Sequence, residues 1–194
     1  MLKAWQQRGI LLQEVYGMTE TSGVVCMAQK ADLPEHMGYA GRALPYGDVK
    51  VMRSDTEEAE PGTLGEIWMR GAAVTPGYWN RPDATEEAFV GDWLKSGDIG
   101  RRDHTGRLSV EDRIKDMYIS GGENVYPAEV ESTLMAHPDI REVAVIGVAD
   151  PKWGEVGCAV IASISGEAVP LEAVHRQCEG HLARFKWPQQ VAHT

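Results

Sequence analysis

Cysteine is scarce. Cys26, Cys158 and Cys178 stand apart, with no Cys-x-x-Cys pair among 194 residues. An odd, isolated set excludes a disulfide framework and reads as small, reduced side chains of a cytoplasmic protein. The six histidines show neither His-Glu-x-x-His nor a His/Cys spacing, which excludes a zinc clamp. Neither a Walker-type GxxxxGK[ST] nor a GxGxxG occurs, so the two commonest phosphate-cradling loops are absent. Positive charge is also short: 19 Lys and Arg against 29 Asp and Glu give a net charge of −10. Phosphate neutralisation needs clustered cations, so DNA and RNA are excluded as general partners. The longest apolar stretches, such as Val143–Val148 and Val156–Ile164, are far short of a membrane span. Lys3 and Arg8 enclose no apolar core of a signal peptide. With 43% hydrophobic and 25% charged residues the chain is neither disordered nor fibrous.

The pattern along the chain predicts an α+β protein in two parts. Leu11–Tyr16 reads as a strand that turns at Gly17, and a polar, Gly- and Pro-spotted stretch follows to Gly47. Val49 with Val51, and Ile67 with Met69, alternate as in half-buried strands. Asp55, Glu57, Glu58 and Glu60 between them form a solvated acidic turn. Asp83 and Glu86 have capping-box spacing for a short helix to Phe89. His104-Thr105-Gly106 marks a turn between two more strands. Residues 38–112 are therefore expected to form a small, mostly antiparallel β unit. After Asp112, Pro127 opens a helix that His137-Pro138 ends. Two β-branched runs, Glu142–Ala149 and Val156–Ile164, read as buried strands. Pro170 opens a second helix striped by Leu171, Val174, Cys178 and Leu182. The expected domains are residues 1–112 and 113–194, the second an α-β-β-α unit.

Three constellations carry chemistry. The first is Tyr16-Gly17-Met18-Thr19-Glu20 at a strand end. Tyr16 offers a flat face for a nucleobase, and Gly17 lets backbone approach a ligand. The Thr19 hydroxyl can donate to a phosphate oxygen, and Glu20 is a hard oxygen ligand suited to Mg²⁺. The second is Ser96-Gly97-Asp98, whose carboxylate can accept two charge-assisted hydrogen bonds from a ribose diol. The third is the run from Asp112 to Glu131: a charged start, a strand, Gly121-Gly122 and a helix start. The paired glycines remove two side chains and leave room for a thin ligand arm against the backbone.

These segments together resemble the adenylate-forming enzymes, in their acyl-CoA synthetase branch. Tyr16–Glu20 is similar to the YGxTE motif, Ser96–Asp98 to (S/T)GD, and Asp112–Glu131 to the hinge segment. Residues from Ala136 through Glu155 also look like that family's C-terminal domain. The resemblance implies the C-terminal part of the large domain followed by a small mobile α+β domain. It implies ligation of a fatty or aryl acid to coenzyme A through an acyl-adenylate, with ATP and Mg²⁺, AMP being released. By the same resemblance Tyr16 packs on adenine, Thr19 touches phosphate and Glu20 holds Mg²⁺. Asp98 and Arg113 reach the ribose, and Lys115 stands at the hinge. Gly121 and Gly122 line the pantetheine tunnel, and Phe185 and Lys186 contact the CoA nucleotide. The resemblance also leads one to look for a phosphate-binding loop before Tyr16 and a catalytic lysine after Pro188, and the sequence shows neither. The expectation is thus a fragment that does not adenylate alone and that self-associates through an apolar face; a monomer in light scattering at high concentration contradicts the latter. Two other readings are a non-catalytic nucleotide- or CoA-binding module and the inert product of a truncated reading frame.

Overall fold

The computed structural model describes residues 2–33 and 35–194, and the chain divides into two compact units, Met1–Val110 and Glu111–Thr194. In the first, a short helix α1 (Leu2–Gln6) precedes an antiparallel sheet of β1 (Val15–Met18), β2 (Gly23–Met27) and β3 (Arg42–Ala43). The strand foreseen from Leu11 starts only at Val15, and the polar stretch after Thr19 contains β2. Val24, Val25 and Cys26 supply an apolar triplet that the surrounding turn residues obscured.

The second sheet holds β4 (Gly47–Ser54), β5 (Glu57–Glu58), β6 (Gly65–Gly71), β7 (Phe89–Val90), β8 (Trp93–Arg102) and β9 (Leu108–Arg113). Its order is β5-β4-β6-β8-β7, with β9 on β8. Val25 and Cys26 share one core with Val49, Val51, Ile67, Met69, Leu94 and Leu108. The expected alternation fails in β6, because Trp68 is as buried as its neighbours. Its ring is covered from the other face by Lys50, whose ammonium lies 4.9 Å from the Trp68 ring and 4.2 Å from that of Trp93. A helix α2 (Pro82–Ala88) follows β6, but Asp83 and Glu86 form no capping box. Arg81 is the N-cap, and Asp83 instead accepts from two of the three guanidinium nitrogens of Arg81, each at 3.0 Å.

An ion network ties this unit together. Asp32 accepts Arg42 at 2.7 Å and Arg107 at 2.9 Å, and Arg107 also reaches Asp103 at 3.0 Å. The Arg107 guanidinium, and next Arg42, hold the Asp32 carboxyl below its usual range. Burial pushes Asp103 up, but the Arg107 and Thr105 N–H groups, the Thr105 hydroxyl and the Arg107 guanidinium outweigh it and hold it low. Both carboxyls are thus depressed in the folded state. Their stabilisation is complete above the unfolded carboxylate pKa and is lost as pH falls below about 4. Melting temperature followed from about pH 7 to pH 2.5 is expected to drop on the acid side, and Asp32→Asn to flatten that drop at the expense of stability at neutral pH.

The second unit opens with a hairpin of β10 (Tyr118–Ser120) and β11 (Glu123–Val125), paired Ser120 to Glu123 across Gly121-Gly122. The two glycines have φ of 60° and 87°, the positive pair that a type I′ hairpin turn requires. Next come α3 (Pro127–Leu134), β12 (Ile140–Asp150), β13 (Gly154–Ser163), α4 (Leu171–Cys178) and β14 (Gln190–His193). The α-β-β-α order is present, with the hairpin and β14 added to it. α3 has Pro127 at its first position but ends at Leu134, before His137-Pro138. β12 and β13 pair antiparallel over nearly their whole length, and β14 lies parallel to β13. Val130 and Leu134 of α3 and Val174 and Cys178 of α4 are fully buried on this sheet with Val125, Ala159 and Ile161. Leu182, foreseen on the α4 stripe, lies beyond the helix and packs on the same core.

Tyr118 is set in this core at 2% exposure, over the registered pair Gly147 and Gly157. Its hydroxyl is buried without a hydrogen-bond partner, and burial pushes its pKa to about 12. An orphaned buried hydroxyl costs roughly 1–3 kcal/mol. Tyr118→Phe is therefore expected to raise stability by about 1 kcal/mol in chemical denaturation, because it removes the orphan and keeps the ring.

Candidate functional site

The first cluster forms where β1 ends. Thr21 is buried and its hydroxyl accepts the Met18 N–H at 3.0 Å, with the carbonyls of Met18 and Gly23 at 2.9 and 2.8 Å as its acceptors. Ser22, at φ 55°, reverses the chain into β2 and donates to the Ala73 carbonyl. The Thr75 N–H donates to the Glu20 carbonyl at 2.7 Å. Thr19 and Glu20 are thereby held on a single turn, Thr19 exposed and Glu20 half-buried. Gly17 has an ordinary φ, and the space of its missing Cβ is filled by the β2 backbone, with the Gly23 carbonyl oxygen 1.8 Å from that position. Strand pairing, rather than an approaching ligand, uses the absence of a side chain there.

Asp98 comes to the same place from β8. Ser96, Gly97 and Asp98 bulge out of that strand: Glu66 pairs with Ile99 and Trp68 with Lys95, so three residues face Ile67 alone. The bulge turns the buried Asp98 toward Tyr16, whose hydroxyl donates to Asp98 Oδ2 at 2.7 Å across 82 residues of sequence. Burial pushes the Tyr16 hydroxyl far above the usual phenol range, and Asp98 adds to this, so it stays a donor. On the turn, the Tyr78 hydroxyl donates to Glu20 Oε1 at 2.9 Å, and that bond raises the Tyr78 pKa. One unit thus assembles a half-buried aromatic face, a buried carboxylate, an exposed hydroxyl and a second carboxylate. Tyr78 is a member that sequence reasoning missed; Pro76-Gly77 signals a turn there, but nothing local ties it to Glu20.

Among the described residues no group of three or more His, Cys, Asp or Glu could hold a metal. Glu20 alone still fits Mg²⁺, which takes one or two protein carboxylates and fills the rest of its octahedron with water and phosphate. The Tyr78 bond fixes one Glu20 oxygen, which orients the other. Cys26 lies near Tyr16, but burial pushes its thiol to about 12, so it is inert.

The second unit holds the remaining predicted residues. Asp112 accepts the N–H groups of Arg113 at 2.7 Å and Ala128 at 2.9 Å, which ties the start of this segment to the first turn of α3. Arg113 and Lys115 are exposed. Lys115 borders a concavity of about 380 Å³ with Asp116, Gly147 and Glu155. Glu155 anchors the hairpin by accepting the Ile119 N–H at 3.0 Å. Gly121 and Phe185 line a cavity of about 370 Å³ together with Trp153, Arg184 and Gln189. The Gly121 N–H donates to the Trp153 carbonyl at 2.9 Å, and a Cβ on Gly121 would lie 2.9 Å from the Trp153 ring. Lys186 forms a two-pronged bond to Glu129 at 2.6 and 2.8 Å, while Arg184 is the cation bordering the cavity. Arg184 was not singled out from sequence, because no short motif marks it; Trp153 stands in Trp153-Gly154-Glu155, part of the resemblance to the C-terminal domain, but was given no role at a cavity. Gly122 completes the hairpin turn beside the cavity.

Comparison with known proteins finds a match in each unit. Residues 1–79 match the family model described as AMP-binding enzyme, and residues 129–194 match AMP-binding enzyme C-terminal domain. The chain is 40% identical over 191 residues to indoleacetate–CoA ligase of Aromatoleum aromaticum, covering 98% of this chain and 38% of the relative. It is also 40% identical to a long-chain-fatty-acid–CoA ligase of Mycobacterium tuberculosis, with the same coverage. Among solved structures, o-succinylbenzoate CoA synthetase from Bacillus subtilis with its acyl-adenylate intermediate matches at a TM-score of 0.92 and 37% identity, over 100% of this chain and 39% of the other. The same enzyme with ATP and magnesium ion matches at 0.90 and 36%, over 100% of this chain and 40% of the other. The chain thus spans well under half the length of the relatives it matches.

Proposed function

We propose, from the premise that the chain belongs to the AMP-binding enzyme family, that it carries part of the nucleotide site and most of the CoA-facing unit of an AMP-forming acyl-CoA ligase. The observation that carries this reading is the 2.7 Å bond between Tyr16 and Asp98, which joins two distant motifs at one spot. Tyr16 stacks on adenine, and Asp98 with Arg113 accepts or reaches the ribose hydroxyls. Thr19 donates to the phosphate. Glu20 would hold Mg²⁺, which would supply charge neutralisation at the phosphates. Activation of a fatty or aryl carboxylate by ATP gives an acyl-adenylate and pyrophosphate, and the CoA thiol then displaces AMP to give the thioester. The two steps need different groups, and Lys115 is read as standing at the hinge position of a two-step enzyme. In the second unit Gly121 and Gly122 border the path of the pantetheine arm. Phe185, beside Trp153 and Arg184 in the cavity, receives the CoA nucleotide, and Lys186 is kept nearby by Glu129. Three free, buried cysteines suit a reducing compartment such as the cytoplasm. The exposed Trp5, Ile10, Leu11, Leu12 and Val15 are the surface for self-association.

On its own, this chain binds AMP but does not turn over. The supporting fact is that it spans 38% of two curated CoA ligases. Titration calorimetry with AMP and with CoA, beside a turnover assay with ATP, CoA and a panel of carboxylic acids, tests both halves. Heat of binding without AMP release is the expected result. Robust AMP release would refute the inactive part, and silence with both ligands would refute the binding part.

A further inference from the structure

We infer that Glu66 is a positioning residue for Asp98, an inference that rests on the reading of Asp98 as the ribose-binding carboxylate. The bulge that presents Asp98 interrupts the regular ladder: Ser96, Gly97 and Asp98 face Ile67 alone. Two of the three bulge amides are taken by side chains. The Asp98 N–H donates to Ser96 Oγ at 3.0 Å, and the Gly97 N–H donates to Glu66 Oε1 at 3.1 Å. Glu66 Oε2 accepts the indole N–H of buried Trp68 at 2.9 Å. One half-buried carboxylate therefore meets two N–H donors, one on each oxygen. It pins Gly97, at φ 74°, to the rigid β6 strand, and so fixes where the next residue's carboxylate stands against Tyr16.

The chemistry selects Glu over its isostere. Glutamine has one acceptor oxygen, so its NH₂ must face either Gly97 N–H or the Trp68 indole N–H, and one donor loses its partner. Removing the competing donor by Trp68→Phe lets glutamine serve Gly97 alone.

The test uses the 194-residue chain with AMP and 2′,3′-dideoxy-AMP as paired probes. Glu66→Gln is expected to cut the preference for AMP over the dideoxy nucleotide about tenfold, the loss of one well-placed charge-assisted bond, while dideoxy affinity holds. The Trp68→Phe/Glu66→Gln double variant is expected to regain most of that preference. Equal weakening of both nucleotides, or no change in the ratio, overturns the proposal, because a purely structural role would not separate the two probes. If the unsubstituted chain binds neither nucleotide, the nucleotide reading fails, and Glu66 is then judged by NMR. A shift of the Gly97 amide proton and the Asp98 carboxyl carbon in Glu66→Gln, at unchanged melting temperature, supports positioning; unmoved resonances overturn it.

Discussion

Replacing Asp98 with alanine is expected to weaken AMP binding by about 1.5–3 kcal/mol, or roughly 10- to 150-fold, the worth of a charge-assisted hydrogen bond. It also strips the Tyr16 hydroxyl of its acceptor, so a buried donor is left unpaired and stability falls by about 1–3 kcal/mol. Asp98→Asn separates the two effects. The amide oxygen still accepts from Tyr16, so the melting temperature is expected to hold, while the lost charge still weakens the hold on the ribose. Calorimetry with AMP and thermal melting of both variants decide the matter. An Asp98→Ala chain with full AMP affinity would remove Asp98 from the nucleotide site.

Gly17→Ala is expected to damage fold and site together. The new Cβ would stand 1.8 Å from the Gly23 carbonyl oxygen, 2.7 Å from its carbon and 2.9 Å from Val24 Cα. These are backbone atoms of the paired strand and cannot swing aside as a side chain would. The two strands must part, and overpacking of this kind costs about 3 kcal/mol, the upper part of its usual range. Tyr16 adjoins the bulge between β1 and β2, so its ring moves with them. Loss of melting temperature and of AMP affinity in the same variant is the expected outcome. A variant with normal melting and weakened AMP would instead point to direct ligand contact at Gly17.

Much of this was legible in the sequence because the signals are local. Pro127 at a helix start needs only the fixed φ and missing N–H of one residue. The β-branched runs that became β12 and β13 announce buried strands by composition. The turn at His104-Thr105-Gly106 was likewise a matter of three adjacent residues. Errors arose where distant residues decide. β2 is held by pairing with β1 and β3, and its apolar triplet sits amid turn formers. Asp83 is the local exception: it satisfied a spacing rule, yet Arg81, two residues before it, captured its carboxylate. Trp68 broke the alternation of β6 because Lys50 and Trp93 cover the face that was expected to be wet.

The candidate site divides the same way. Tyr16–Glu20, Ser96–Asp98 and the segment from Asp112 could be named from residue types and order, since the chemistry of a flat ring, a hydroxyl or a carboxylate resides in the side chain itself. That Tyr16 donates to Asp98, that Tyr78 steadies Glu20, that Glu66 closes the Asp98 bulge and that Glu129 holds Lys186 while Arg184 borders the cavity were decided only by the folded chain. Each of these is a contact between residues far apart in sequence, except the choice between Arg184 and Lys186, which depends on which side of a single turn faces the cavity. The sequence alone determined which functional groups are present and roughly which elements bear them. Hydrogen bonds of about 3 Å need groups placed to within a fraction of that distance, and only strand register, a bulge and close-packed cores supply such placement.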